Sequence, residues 1–216
     1  MHRTSVARVM REVERITQRP MVDLSDFHDF SIAAPGDFWD LVWGECGVVG
    51  DRGEGPAVIP PAPGHDLRAT RFFPAAALNY AENLLAGGDL PGAQDTAIVF
   101  RREDGHRRVW SWGELRAAVA SVRTALQDAG VRRGDTVAAW MPNTPDSVIA
   151  MLATESLGAV FTSTSPDFGP AGVLDRFGQV SPVILVAADG YVYGGKQHDR
   201  TAALAQIVDG LPSLRQ

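Results

Sequence analysis

The spacing of apolar residues changes near residue 95, and the change separates two kinds of chain. In the first stretch, Val6, Val9, Val13 and Ile16 recur at three- and four-residue intervals, which predicts a helix over residues 4–18. Its apolar stripe is thin, so a peripheral arm is expected. Asp37-Phe38-Trp39-Asp40-Leu41-Val42-Trp43, entered through Pro35-Gly36, predicts a short aromatic-rich helix. Residues 47–70 hold many Gly and Pro without periodicity and read as a long irregular connector. Pro74 suits a first helical turn, with Leu78, Leu84 and Leu85 carrying a helix to Gly87-Gly88.

Beyond residue 95 strands and helices alternate. Thr96–Phe100 and Arg107–Trp110 flank Asp104-Gly105, a hairpin signal. Ser111-Trp112-Gly113-Glu114 forms a capping box, and the helix that it opens lines up Leu115, Val119, Val122 and Leu126 before stopping at Gly130. Strands follow at Asp135–Met141, Ala159–Thr162 and Val183–Ala188. Helices are expected from Pro145 to Gly158, from Pro170 to Val180 and over Thr201–Val208. Strands apolar on both faces, each followed by a helix, predict an α/β fold with a parallel sheet flanked by helices. The boundaries read as 1–90 for a helical and irregular cap and 91–216 for the sheet region. No partner strand follows the last helix, so the sheet is expected to be small and incomplete.

Composition narrows the function classes. Lys and Arg total 20 against 26 Asp and Glu, a net charge of −6, which argues against nucleic acid as the main partner. No apolar run reaches the roughly 18 residues of a membrane span. The single cysteine, Cys46, excludes an intrachain disulfide and reads as a structural thiol. The first residues lack the apolar stretch of a secretion signal, so a cytoplasmic location is expected. The five histidines are scattered, and no metal site is expected.

Two segments carry candidate chemistry. Gly190-Tyr191-Val192-Tyr193-Gly194-Gly195-Lys196-Gln197 fits G-x-x-x-x-G-K after an apolar strand. A phosphate loop needs a Ser or Thr where Gln197 stands, and a helix that opens at the lysine, whereas His198-Asp199-Arg200 delays it. That reading is therefore set aside. Ser163-Thr164-Ser165-Pro166-Asp167-Phe168-Gly169-Pro170 follows the end of a strand, at the edge where open α/β sheets bind ligands. Turn-making accounts for Pro166, Gly169 and Pro170 there, but less well for Ser165, Asp167 and Phe168 together. The arginines at 101, 102, 107 and 108 read as a solvated face, and the five tryptophans as core.

Several of these segments, in order, resemble the adenylate-forming, AMP-binding acyl-CoA synthetases of the acetyl/acetoacetyl type. They are Leu78–Leu85, Gly130–Ala138 running into Met141-Pro142-Asn143-Thr144-Pro145, Ser165–Gly169, Val173–Phe177 and Asp189–Lys196. The Ser-Pro-Asp-Phe-Gly loop is closer to the acetoacetyl branch than to the acetyl one. The resemblance implies a ligase that uses ATP and Mg²⁺ to convert acetoacetate to an acyl-adenylate, which CoA then takes up. It implies a CoA-binding role for Ser165, Pro166, Asp167, Phe168 and Gly169, in the loop that lines the CoA channel. Tyr193 and Lys196 are implied too, where acetyl-type relatives carry two arginines near the adenine and 3′-phosphate. It assigns no catalytic residue within these 216 positions. The family's phosphate loop, adenine contacts and C-terminal lysine would lie beyond Gln216, so an opening portion, inactive alone, is expected. A non-catalytic α/β binding or interaction module is the alternative. A phosphate-loop protein is a third reading, resting on Gly190–Lys196 alone.

Overall fold

A computed structural model describes residues 4–86 and 91–215, which fall into two compact units, Met1–Leu90 and Pro91–Gln216. The first unit opens with helix α1 (Ser5–Thr17), capped where the Thr4 hydroxyl accepts the Ala7 amide at 3.2 Å. Val9 and Val13 are buried, and α1 packs on α3 (Pro35–Glu45), with Arg8 3.3 Å from the Glu45 carboxylate. The peripheral arm expected from the thin stripe is thus a docked helix, because two valines and one ion pair suffice to seat it. Helix α2 (Leu24–Ala33) is an element that the apolar spacing does not predict. Its capping box is built from two aspartates, Asp23 and Asp26, and only Ala34 separates it from α3. Phe27 and Phe30 close on Phe38 with ring centroids 5.5 and 6.5 Å apart.

The expected irregular connector holds two short antiparallel clips. Strand β1 (Gly50–Asp51) pairs with β4 (Ala77–Leu78), and β2 (Val58–Ile59) with β3 (Arg71–Phe72). Because residues 77–78 are engaged in the first clip, Pro74 sits in a turn and the next helix, α4 (Tyr80–Ala86), starts six residues after it. The Asn79 carboxamide accepts the Glu82 amide at that start, 3.0 Å away. The expected stop at Gly87-Gly88 lies outside the described residues. Cys46 stands at the C-terminal cap of α3 and is exposed, outside the buried core.

The second unit begins with the hairpin of β5 (Thr96–Arg101) and β6 (Arg107–Ser111), and Ser111 and Glu114 form the capping box of α5 (Trp112–Asp128). Then come β7 (Thr136–Trp140), α6 (Pro145–Ser156), β8 (Val160–Thr164), α7 (Pro170–Phe177) and β9 (Ile184–Ala187). Strands β7, β8 and β9 form a parallel sheet in the order β8-β7-β9. A second hairpin, β10 (Gly190–Tyr193) and β11 (Lys196–Asp199), precedes α8 (Thr201–Asp209). The α/β fold with a small parallel sheet is as the alternation predicts.

Sheet side chains alternate between two layers. Ala138 and Trp140 of β7 join Val173 and Phe177 of α7 and Ile207 and Leu211 of the α8 segment in one buried cluster. Val137 and Ala139, equally buried, take the other face, where α6 packs on β7 and β8 and also meets α5. Burial on both faces is why β7 reads as a continuous apolar run. Core packing holds for Trp110 and Trp140, while Trp39 is exposed.

Candidate functional site at the carboxyl edge of the parallel sheet

In this strand order the chain leaves β7 toward one neighbour and returns past it to reach the other, so the order reverses at β7. Right-handed crossovers then put α6 and α7 on opposite faces, and the gap at the carboxyl ends of the strands is where such sheets take ligands. Three segments leave the sheet at that edge. Residues 141–144 follow β7, Ser165–Gly169 follows β8, and the β10–β11 hairpin follows β9.

The loop after β8 is held by its own turn. The Ser165 hydroxyl donates to Asp167 Oδ2 at 2.9 Å, and the Phe168 amide donates to the Ser165 carbonyl at 3.2 Å. Pro166 is fully buried, so it shapes the loop and presents little to solvent. Phe168 is 42% exposed, with the Arg176 guanidinium 4.3 Å from its ring centroid. Gly169 precedes α7 in extended backbone, leaving the first amides of that helix at the edge.

The glycine-rich segment is a hairpin turn. Gly194 and Gly195, at φ 59° and 69°, occupy the left-handed region at both central positions, as a two-residue turn of this twist requires. Tyr193 pairs with Lys196 across it and Tyr191 with His198, so alternation sets Tyr191, Tyr193, Lys196 and His198 on one face. Tyr193 is 66% exposed and offers an open ring; Lys196 is exposed beside it. The Gly195 amide donates to Glu103 Oε1 at 2.9 Å, tying the hairpin tip to the β5–β6 turn.

The structure brings loop and hairpin together through residues that the sequence reading passed over. The Tyr191 hydroxyl donates to Asp167 Oδ1 and accepts from Arg200 Nη2 at 2.8 Å. Its ring stacks on His198, centroids 4.9 Å apart and planes 15° from parallel. The Tyr193 carbonyl lies 3.2 Å from His198 Nε2, and since a carbonyl only accepts, that contact calls for the proton on Nε2. Hydrogen bonds from Tyr191 and then Ser165 hold the Asp167 carboxyl below its usual value. Of the implied residues, Asp167 meets the hairpin directly, Tyr193 and Lys196 lie two cross-strand pairs further out, and Phe168 turns toward α7. One signal for the missed residues was present: a Gly-Gly pair flanked by alternating aromatic positions is a hairpin pattern.

Aromatic rings, one ammonium and a hydroxyl-lined loop suit a ligand with a flat ring and a phosphate. Among the described residues no group of three or more His, Cys, Asp or Glu could hold a metal ion, so no step through Mg²⁺ is assigned to them. Nor is any helix among them long and apolar enough to cross a membrane.

Residues 91–215 match the family model described as AMP-binding enzyme. The chain belongs to that family. It is 44% identical over 193 residues to the acetoacetyl-coenzyme A synthetase of Rhizobium meliloti (strain 1021), covering 89% of this chain and 28% of the relative. The acetoacetyl-CoA synthetase of Macaca fascicularis is 36% identical over 193 residues, covering 88% of this chain and 28% of the relative. A solved structure titled acetoacetyl-CoA synthetase from Streptomyces lividans superposes with a TM-score of 0.88 at 35% identity, over 99% of this chain and 32% of that one. The chain therefore spans a little under a third of the length of the relatives that it matches.

Proposed function

We propose that this chain supplies the CoA-facing part of an acetoacetate–CoA ligase. In that reaction an acetoacetate carboxylate oxygen attacks the α-phosphorus of ATP, and pyrophosphate leaves. The CoA sulfur then attacks the acyl carbon of the mixed anhydride, and AMP leaves with the bridging oxygen. Residues 1–90 form the cap of such a ligase and residues 91–216 the first part of its AMP-binding domain. Adenylation draws on the length that the relatives have and these 216 residues do not span. Ser165–Gly169, Tyr193 and Lys196 receive CoA, with Tyr193 offered to the adenine ring and Lys196 to the 3′-phosphate. A cytoplasmic setting belongs to this reading.

The observation that carries it is the meeting of the Ser165–Gly169 loop and the aromatic, basic hairpin face at the carboxyl edge of the sheet. The 44% identity to a protein named acetoacetyl-coenzyme A synthetase supports the choice of acid. The test is made on a full-length protein containing this chain. Acetoacetate should drive exchange of pyrophosphate into ATP without CoA, and added CoA should convert the adenylate to AMP and acetoacetyl-CoA. The 216-residue chain alone should catalyse neither step. Exchange driven by acetate but not by acetoacetate would move the assignment to the acetyl branch, and pyrophosphate release by the chain alone would overturn the division of labour.

A further inference from the structure

We propose that Tyr191 is a positioning residue that holds the Ser165–Gly169 loop in the shape that receives CoA, an inference that rests on the CoA reading above. The turn contacts within the loop fix its curvature but not its place relative to the hairpin. The hydrogen bond from Tyr191 to Asp167, across 24 residues, is the tie between the exits of β8 and β9. It is backed by a chain of contacts. Tyr191 is held flat by the His198 ring on one side, and the Arg200 guanidinium lies 5.2 Å from its ring centroid. Arg200 Nη2 donates to the Tyr191 oxygen, which leaves the hydroxyl hydrogen for Asp167. Arg200 is itself fixed: its amide donates to the Asp189 carbonyl at 2.7 Å, and it caps the start of α8. Its Nε is buried with no hydrogen-bond partner, so the guanidinium is placed for the hydroxyl rather than for solvent. Tyr191 sits two pairs inward of Tyr193 and Lys196, on the same hairpin face, so it acts on CoA through Asp167 and through the alignment of that face with the loop.

The test uses Tyr191→Phe, which keeps the ring and its stack and deletes the hydroxyl, in the full-length protein. Amide hydrogen exchange at Asp167 and Phe168 should quicken about tenfold, the scale of one hydrogen bond to a charged group. KM for CoA should rise about three- to tenfold with kcat at saturating CoA unchanged. Asp167→Ala, which removes the acceptor, should raise exchange and KM at least as far, and adding Tyr191→Phe to it should bring no further change, as expected for partners in one interaction. Unchanged loop exchange and unchanged KM in Tyr191→Phe, beside a raised KM in Lys196→Ala, would overturn the positioning role and leave the CoA reading standing. Faster loop exchange with no change of KM in Tyr191→Phe or in Lys196→Ala would instead overturn the CoA reading, and the positioning role with it. Additive effects of Tyr191→Phe and Asp167→Ala, with exchange quickened through the hairpin as a whole, would show that Tyr191 only stabilises the hairpin and overturn the proposal.

Discussion

Replacing Lys196 by alanine isolates the phosphate contact that the proposed function requires. Lys196 follows the Gly194-Gly195 turn and is exposed, with Tyr193 directly across the ladder. Its ammonium therefore reaches a ligand that lies on the Tyr193 face while staying in contact with water. A contact of that kind contributes about 1 kcal/mol, near the upper end for exposed ion pairs. That corresponds to about a fivefold rise in KM for CoA. Lys196→Arg keeps the charge and should stay within about twofold of the parent.

The assay is steady-state ligation by the full-length protein, with CoA varied at saturating ATP and acetoacetate. Dephospho-CoA serves as the control, and parent and Lys196→Ala should use it equally well because the 3′-phosphate is gone. The parent's advantage should shrink between 0.1 and 1 M salt, as the screening length falls from about 10 to about 3 Å. A variant that loses acetoacetate-dependent pyrophosphate exchange yet keeps its KM for CoA would place Lys196 on ATP and refute the reasoning. An equal loss with CoA and dephospho-CoA would refute the 3′-phosphate assignment.

Phe177 lies in the cluster with Trp140, Val173 and Ile207, so Phe177→Ala should cost about 3–5 kcal/mol in urea unfolding and Phe177→Leu under about 1.5; a loss below about 1 for alanine would deny it a central place. Ser111→Ala removes the acceptor of the Glu114 amide and should cost about 1 kcal/mol, largely restored by Ser111→Asp, again by urea unfolding. The Arg102 guanidinium, then the His106 amide, hold the Asp104 carboxyl down at about 2, against an ordinary 3.8. Because that value is depressed, the stabilisation is full above about 3.8 and fades as pH falls through about 2. A carboxyl NMR titration should place the Asp104 midpoint near 2, and a midpoint near 3.8 would contradict the pairing. Strands β8 and β9 are the two edges of the parallel sheet, so the 216-residue chain should self-associate in light scattering over a dilution series; a monodisperse monomer throughout would show that these edges are protected.

Elements that carry a local signal were legible in the sequence, and those set by distant contacts were not. The Asp104-Gly105 hairpin, the Ser111/Glu114 capping box and the β7–α6–β8–α7–β9 alternation each announce themselves within a few residues. Helix α2 does not, because its cap uses two aspartates and its apolar residues serve ring contacts with Phe38 rather than a continuous stripe. Nor do the β1–β4 and β2–β3 clips, since a two-residue strand has no period to read. The seating of α1 joins buried Val9 and Val13 to an ion pair whose partners, Arg8 and Glu45, lie 37 residues apart. At the candidate site, Ser165–Gly169 stood out because a strand visibly ends there. Tyr191, His198 and Arg200 did not, because their bonds run through a hairpin that the phosphate-loop pattern obscured.

That pattern decides what kind of phosphate the segment could hold. A phosphate loop works because its lysine opens a helix, so that several free amides and the helix dipole converge on a di- or triphosphate. Here Lys196 opens strand β11 instead, and α8 begins only at Thr201. The Gly195 amide is already given to Glu103, and that carboxylate would repel an anion drawn onto the turn itself. What remains is one exposed ammonium on a hairpin face, beside an open tyrosine ring. On the proposed reading such a site would hold a single phosphate at the end of a larger ligand by weak, salt-sensitive attraction, with affinity coming from whatever else that ligand touches. A 3′-phosphate on an adenine nucleotide whose pantetheine arm runs past Ser165–Gly169 meets that condition; a free triphosphate does not.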